Sequence, residues 1–156
     1  MRRKDREVAD PVRIREILTS CTCCRLGFYD GEEVYIVPLS YGFREREGEY
    51  TLYFHGAAEG RKLDLLQHNP MVGFELDEDC GVRTAPMACG HSAAYRSIIG
   101  TGTLELLTER RAREEALRCI MSHYTGREDW DFPAERMEGL AVFCLHVRKL
   151  SCKEHV

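Results

Sequence analysis

The sequence predicts a mainly β, α+β fold: six antiparallel strands forming a small barrel, with a few flanking helices. Three observations lead there. Strand-like runs follow one another through short turns, and sequential strands joined that way are mostly antiparallel. The first turns, Tyr29-Asp30-Gly31 and Glu45 to Glu49 with Gly48, carry hairpin chemistry. The helical patterns are too few to alternate with the strands, which argues against a doubly wound sheet.

Taken in order, Asp10 as N-cap and Pro11 in the first turn open a short amphipathic helix through Val12, Ile14, Ile17 and Leu18, which Thr19-Ser20 ends. Cys21 to Phe28 and Val34 to Phe43 form the first hairpin, and Tyr50 to His55 is an aromatic-rich third strand. That strand runs into Gly56, Ala57 and Ala58, and a helix follows from about Glu59 to His68, closed by Pro70. Met71 to Leu76 is the fourth strand, ahead of the acidic Asp77-Glu78-Asp79. Cys80 to Ser92 reads as a long loop and Ala94 to Leu107 as a long strand, whose Gly100 and Gly102 mark a bulge or a close backbone approach. Thr108 caps a helix reaching about Tyr124, with Ala112, Ala116, Leu117, Ile120, Met121 and Tyr124 on one face. Arg113 falls inside that arc, where its stem alone can pack. Leu140 to Val147 is the last strand. The Val34 to Tyr41 stretch is apolar on both faces, which implies burial by the barrel interior on one side and by a partner subunit or a ligand on the other.

The 156 residues are expected to form one domain, since a chain of this length buries roughly 68–70% of its unfolded surface without staples. The 22 Lys+Arg and 26 Asp+Glu give a net charge of −4, which argues against a nucleic-acid partner. The longest stretch free of Asp, Glu, Lys and Arg runs only from Thr84 to Tyr95, short of the ~18 apolar residues of a membrane span. The basic start, Arg2-Arg3-Lys4, has no apolar segment behind it and fails as a signal peptide. A cytosolic location with its 8 cysteines reduced is the expectation.

The chemistry concentrates in Phe54-His55-Gly56-Ala57-Ala58-Glu59-Gly60-Arg61-Lys62-Leu63. Small residues let backbone N–H groups approach an anion, a helix N-terminus adds partial positive charge, and Arg61 and Lys62 supply a planar fork and a point charge. The alternative is a solvated turn before a surface helix. A nucleotide P-loop is excluded, because Leu63 stands where a magnesium-binding hydroxyl is required. A monophosphorylated cofactor fits better. Pro38, inside an apolar strand, confines that position to an edge or a bulge, where backbone groups of Val37, Leu39 and Ser40 can turn to a ligand.

Four segments together resemble a known family: Tyr35 to Gly42, Leu52 to Leu66, Asn69-Pro70 and Tyr95 to Gly102. The sequence is similar to the pyridoxamine 5′-phosphate oxidase-related flavoproteins, and within them to the nitroimidazole-resistance-like branch. The resemblance implies a split β-barrel binding FMN at a homodimer interface. It implies that Val37, Pro38, Leu39 and Ser40 line the isoalloxazine, that His55 sits beside it, and that Gly60, Arg61 and Lys62 hold the phosphate with Ser97 as a nearby hydroxyl donor. It suggests a nitroaromatic compound as the acceptor class for a flavin-dependent oxidoreductase. The second strand departs from the biosynthetic oxidases, offering only Tyr35, Pro38 and Ser40 where those carry additional basic residues, which speaks against pyridoxamine phosphate as substrate.

Among the remaining residues, His55 is the one histidine assigned a function, as a donor of a hydrogen bond or proton over the flavin and the single candidate catalytic group. Cys21-Thr22-Cys23-Cys24, Cys89-Gly90-His91 and Cys144-Leu145-His146 have spacings a zinc site could use, but strand placement makes most of these thiols small core residues. No metal ligand is assigned. A non-catalytic FMN-binding or sensing protein, or a zinc-binding module, are the alternative functions.

Overall fold

A computed structural model describes residues 3–156. Helix α1 (Pro11–Ser20) starts as expected, with the Asp10 carboxylate accepting the Val12 N–H at 3.0 Å. Its Ile14, Ile17 and Leu18 are buried in the main core. A two-residue strand, β1 (Glu7–Val8), precedes it and pairs with the last strand. Then come β2 (Cys24–Tyr29), β3 (Val34–Leu39), β4 (Tyr41–Arg46) and β5 (Glu49–Ala57). Helix α2 (Arg61–His68) leads to β6 (Met71–Arg83) and β7 (Ser92–Leu106). Helices α3 (Arg110–Thr125) and α4 (Ala134–Met137) and strand β8 (Leu140–His155) complete the chain. No helix of the described residues is long and apolar enough to cross a membrane.

All pairings are antiparallel, in the order β3-β2-β6-β7-β8-β5-β4. The sheet therefore has eight strands where the sequence reading has six. One addition is β1. The other arises because the expected Val34 to Phe43 strand breaks at Ser40, and its halves take opposite ends of the strand order. Consecutive residues thus join the two edges of the curled sheet, so the barrel is split rather than sealed by hydrogen bonds.

The later strands are longer than the sequence pattern suggests. The acidic Asp77 to Asp79 patch stays inside β6 because basic neighbours accompany it: Arg25 bonds both Glu75 and Asp77, and Arg96 bonds Glu78 at 3.0 Å. The loop expected from Cys80 shrinks to residues 84–91. Strand β8 continues past Val147 to His155, pairing with the first half of β7. A register shift lies at Thr101/Gly102, where a Cβ on Gly102 would meet Leu145 Cδ1 at 2.8 Å, so the bulge and the close approach read from the glycines are both present. Helix α3 is capped by Glu109, which accepts from Ala112 N–H at 3.1 Å, rather than by Thr108, and it ends at Gly126 with φ 69°.

The main core fills the barrel with Leu26, Phe28, Leu52, Phe54, Phe74, Ile98, Phe143 and Leu145. A smaller cluster, Ala116, Leu117, Ile120, Met137 and Val142, packs α3 and α4 onto the outer face of β8. Arg113 does pack by its stem, and its guanidinium donates to the carbonyls of Met137 and Leu140 at 2.7 Å. Tyr41 is fully buried in the main core, its hydroxyl donating to the Leu18 carbonyl at 2.6 Å.

Candidate functional site

The break at Ser40 makes the site. Before it, β3 pairs only with β2; after it, β4 starts at Tyr41 opposite Phe54. Residues His55, Gly56 and Ala57 of β5 therefore have partners on β8, Val142, Ala141 and Leu140, and none on the other side. What results is a wedge with its apex at Ser40 and two half-unpaired backbone edges as walls, β3 on one side and the end of β5 on the other. Backbone N–H and C=O groups with no ladder partner are available to a ligand. Pro38 lies on this edge strand, as a residue without an N–H should.

The apex is held by groups the sequence reading does not single out. The Tyr41 N–H, released by the break, donates to the Tyr124 hydroxyl at 3.2 Å, and that hydroxyl in turn donates to the Thr22 carbonyl. In the sequence Tyr124 belongs to an apolar helix face. Nothing in the pattern distinguishes it from a core tyrosine, because its role depends on where the second strand breaks.

At the open end stands the loop into α2. Gly60 has φ 111° and ψ 171°, a conformation costly for any residue with a Cβ, and its carbonyl accepts Leu63 N–H at 2.9 Å. Leu63 and Leu65 anchor the helix in the core, which turns its N-terminus toward the end of β5. Lys62 lies along that end: a Cβ on Gly56 would meet its Cε at 2.9 Å and its Nζ at 3.1 Å. Among the described residues Lys62 forms no ion pair. An unpaired ammonium beside a helix N-terminus and an exposed small-residue loop has the charge and the donors that a phosphate monoester requires.

Arg61 is placed differently from its neighbour. Its guanidinium donates to Glu33 at 2.9 Å and to Asp30 at 3.3 Å, and lies 5.0 Å from the centroid of the Tyr35 ring. The turn between β2 and β3 is thus tied to the start of α2. The signal for this was two carboxylates in a turn otherwise read only as a hairpin tip.

His55 borders the wedge, but its side chain is on the face of β5 opposite the one over which Lys62 lies at Gly56, since adjacent strand residues alternate. Burial lowers its pKa from the ordinary value, so the imidazole is neutral at neutral pH. Ser97 is remote. It pairs with Asp77 and Lys153, nine residues along β7 from Leu106, which faces Phe143 near the Gly56 end. At about 3.3 Å per residue that is roughly 30 Å along the strand, so one chain does not bring Ser97 to Lys62.

The thiols behave mainly as core residues. Cys21, Cys24, Cys144 and Cys152 are buried, and burial pushes Cys21 up to about 12 and Cys144 and Cys152 up to about 11. Among the described residues no three His, Cys, Asp or Glu side chains converge as metal ligands.

Exposed apolar side chains stand on the outer face of β3, with a further one on β7 beyond the charged Arg25 and Glu75. Val34 and Ile36, from β3, are 66% and 61% exposed, and Ile99 on β7 is 50% exposed. The expectation that this stretch needs cover on its second face is therefore unmet within one chain.

A profile of the family described as pyridoxamine 5′-phosphate oxidase matches residues 10–154. Among solved structures, a candidate 5-nitroimidazole antibiotic resistance protein from Bacteroides thetaiotaomicron is 27% identical, with TM-score 0.79 over 94% of this chain and 85% of that one. The flavocytochrome Anf3 from Azotobacter vinelandii is 23% identical, TM-score 0.80, over 100% and 72%. An FAD- and haem-binding protein from Mycobacterium smegmatis is 18% identical, TM-score 0.80, over 96% and 73%. These last two share the fold. Nothing among curated proteins matches the sequence. The family match takes in the wedge, the Gly60 loop and both core clusters, and the chain belongs to the pyridoxamine 5′-phosphate oxidase family.

Proposed function

We propose that the protein is an FMN-binding flavoprotein, active as a homodimer, that passes reducing equivalents to a small acceptor of the nitroaromatic class. The observation that carries this is the wedge, with two unpaired backbone edges leading to an ammonium that has no carboxylate partner. The fold's flavin-binding neighbours and the nitroimidazole-related one support the same reading.

In this reading the backbone of Val37, Pro38, Leu39 and Ser40 lies along the isoalloxazine edge, and Pro38 leaves one fewer N–H there. Lys62 and the N–H groups of Gly60 to Lys62 hold the phosphate, whose charge of about −1.5 to −2 suits a site of one ammonium plus a helix N-terminus. Neutral His55 is a hydrogen-bond donor at the β5 wall. When bound, the flavin supplies the hydride and electron chemistry. A second copy seated on the Val34, Ile36 and Ile99 face would cover the apolar surface, and would offer its own Ser97 to the site that one chain cannot furnish. The thiols fit a reducing cytosol. Pyridoxamine phosphate is disfavoured as substrate, since β3 contributes no cation to the wedge.

The test is spectroscopic. Protein mixed with FMN and freed of excess should retain the visible flavin band. Anaerobic addition of NADH or NADPH should bleach it, and a nitroaromatic acceptor should restore it. Retention without bleaching by either donor would make the protein a binder only. Absence of the band would overturn the flavin reading.

A further inference from the structure

Three segments far apart in the sequence meet at the end of the sheet remote from Lys62. The first is a short helical turn (Lys4–Arg6), laid along β8 by the pairing of Glu7 with Lys153 and Val8 with Cys152. The second is the far end of the β6–β7 hairpin, where Arg83 stands opposite Ser92 and a register shift between Asp79 and Val82 bends the strand. The third is the end of β8, whose His155 is the register partner of Tyr95. Tyr95 lies eleven residues along β7 from Leu106, about 36 Å at roughly 3.3 Å per residue, so this place is not the Lys62 end of the wedge in the same chain.

The side chains that converge there carry donors and positive charge. Arg6 Nη1 donates to the Tyr95 hydroxyl at 3.4 Å, and the guanidinium carbon lies 5.9 Å from the centroid of that ring. Ser92 Oγ and His155 Nε2 share a hydrogen bond of 2.8 Å, and the Tyr95 and His155 ring centroids are 6.3 Å apart. Partial burial, and then the charges of Arg6, Arg83 and Arg3, hold the His155 pKa below its ordinary value, with Asp5 acting against them. Three guanidiniums thus crowd one imidazole. Asp5 is already engaged, since its carboxylate accepts from Arg3 at 2.8 and 2.6 Å. Asp79, the register partner of Tyr95 on β6, accepts the Gly81 N–H at 2.8 Å and bonds neither of the other two arginines. Among the described residues Arg6 and Arg83 have no carboxylate partner.

Arg6 is unusual in a further respect. Its Nε is the one buried side-chain nitrogen or oxygen among the described residues that has no hydrogen-bond partner. Buried polar groups are nearly always paired, so an orphan of this kind calls for an acceptor. Nε and Nη2 form the edge of a guanidinium that grips an oxyanion in bidentate fashion, and Tyr95 occupies only Nη1. An outward turn of the fork presents that edge to solvent. The charge selects the ligand class: two unpaired guanidiniums, two hydroxyls and an imidazole able to take up a proton match a phosphate monoester, at about −1.5 to −2, better than a carboxylate. We propose that Arg6, Arg83 and His155, with the hydroxyls of Ser92 and Tyr95, form an oxyanion site that is separate from the one at Lys62 and takes a phosphate monoester.

Nuclear magnetic resonance of the histidine ring protons tests this, with inorganic phosphate as the probe, acetate at equal ionic strength as the control, and His155→Gln to identify the signals. In the wild type at neutral pH the His155 signals should move saturably with phosphate and little with acetate. The His155 pKa should rise once phosphate is bound, because the anion offsets the guanidinium charges. Arg6→Gln combined with Arg83→Gln should weaken the phosphate response about tenfold or more. Arg83→Gln alone, at an exposed hairpin position, should weaken it in the same direction and guards against a folding defect in the double variant. Lys62→Met should leave the response intact. His155 signals that ignore phosphate, that follow acetate equally well, or that respond as strongly in both arginine variants would overturn the site. A response abolished by Lys62→Met would assign the anion to the flavin site of a second copy, and a separate site would be overturned by that result too. None of these outcomes requires a flavin to bind, so the site and the flavin reading fail independently.

Discussion

Replacing Gly56 by alanine tests the phosphate site without touching a charge. Gly56 is in β5 with an ordinary extended backbone, since it is absent from the positive-φ glycines, so alanine is conformationally acceptable there. The new Cβ would meet Lys62 Cε at 2.9 Å and Nζ at 3.1 Å, the far end of a flexible side chain, and restoring ordinary contact at 3.4 Å moves the ammonium by about 0.5 Å. Displacing a unit charge from roughly 3.0 to 3.5 Å from a phosphate of charge about −1.75, at an effective dielectric constant of about 20, loses about 1.4 kcal/mol. That is about tenfold in Kd. Riboflavin lacks the phosphate and should bind as before. Flavin fluorescence titrations of wild type and Gly56→Ala with FMN and riboflavin measure both numbers, and thermal melting should show little change. An unchanged FMN affinity, or equal losses for both flavins, would refute the placement of the phosphate at Lys62.

Three further outcomes follow from the fold. Gly42→Ala should destabilise by about 1–3 kcal/mol, because its Cβ would meet the rigid α3 backbone at Cys119 C and O and Ile120 N, each 2.6 Å away; a denaturant midpoint within error of wild type would contradict this packing. Hydrogen bonds from Arg13 and then Arg96 lower the Glu154 pKa, and bonds from Ser20 and Arg96 lower that of Glu78. With folded values below unfolded ones, their contribution is present above the ordinary carboxylate range and lost as pH falls through the folded values. Melting temperature should therefore fall below about pH 4.5, and Glu154→Gln should flatten that fall; a variant with the wild-type slope would count against it. Ile36→Lys, on the exposed face of β3, should turn a dimer into a folded monomer by light scattering, and a wild-type monomer would remove the dimer proposal.

The reach of sequence reading is visible at particular residues. Asp10, Gly100 and Gly102 carry local signals, a side-chain oxygen before a proline and glycines inside a strand, and each does in the structure what its chemistry requires. The break at Ser40 is not legible, because a polar residue flanked by apolar ones looks the same whether a strand continues or passes from one sheet edge to the other. The acidic run in β6 looked like a strand end because its cations, Arg25 and Arg96, come from other strands. Similarly, Gly60 and Lys62 were legible from the loop, and the partnership of Arg61 with Asp30 and Glu33 was not, since it joins residues about thirty apart. Ser97 was associated with the phosphate through resemblance, whereas strand register places it roughly 30 Å along β7 from the near end of that site.

The central claim is that this wedge binds a flavin through its phosphate at Lys62. Isothermal titration of wild type and Lys62→Met with FMN and with riboflavin tests it most directly. One FMN per chain is expected, bound more tightly than riboflavin by roughly 10- to 100-fold, as charge-assisted hydrogen bonds of about 1.5–3 kcal/mol imply, with that advantage cut to the smaller part that the backbone N–H groups supply in Lys62→Met. Equal affinities for the two flavins in the wild type, or an FMN advantage undiminished in Lys62→Met, would contradict it.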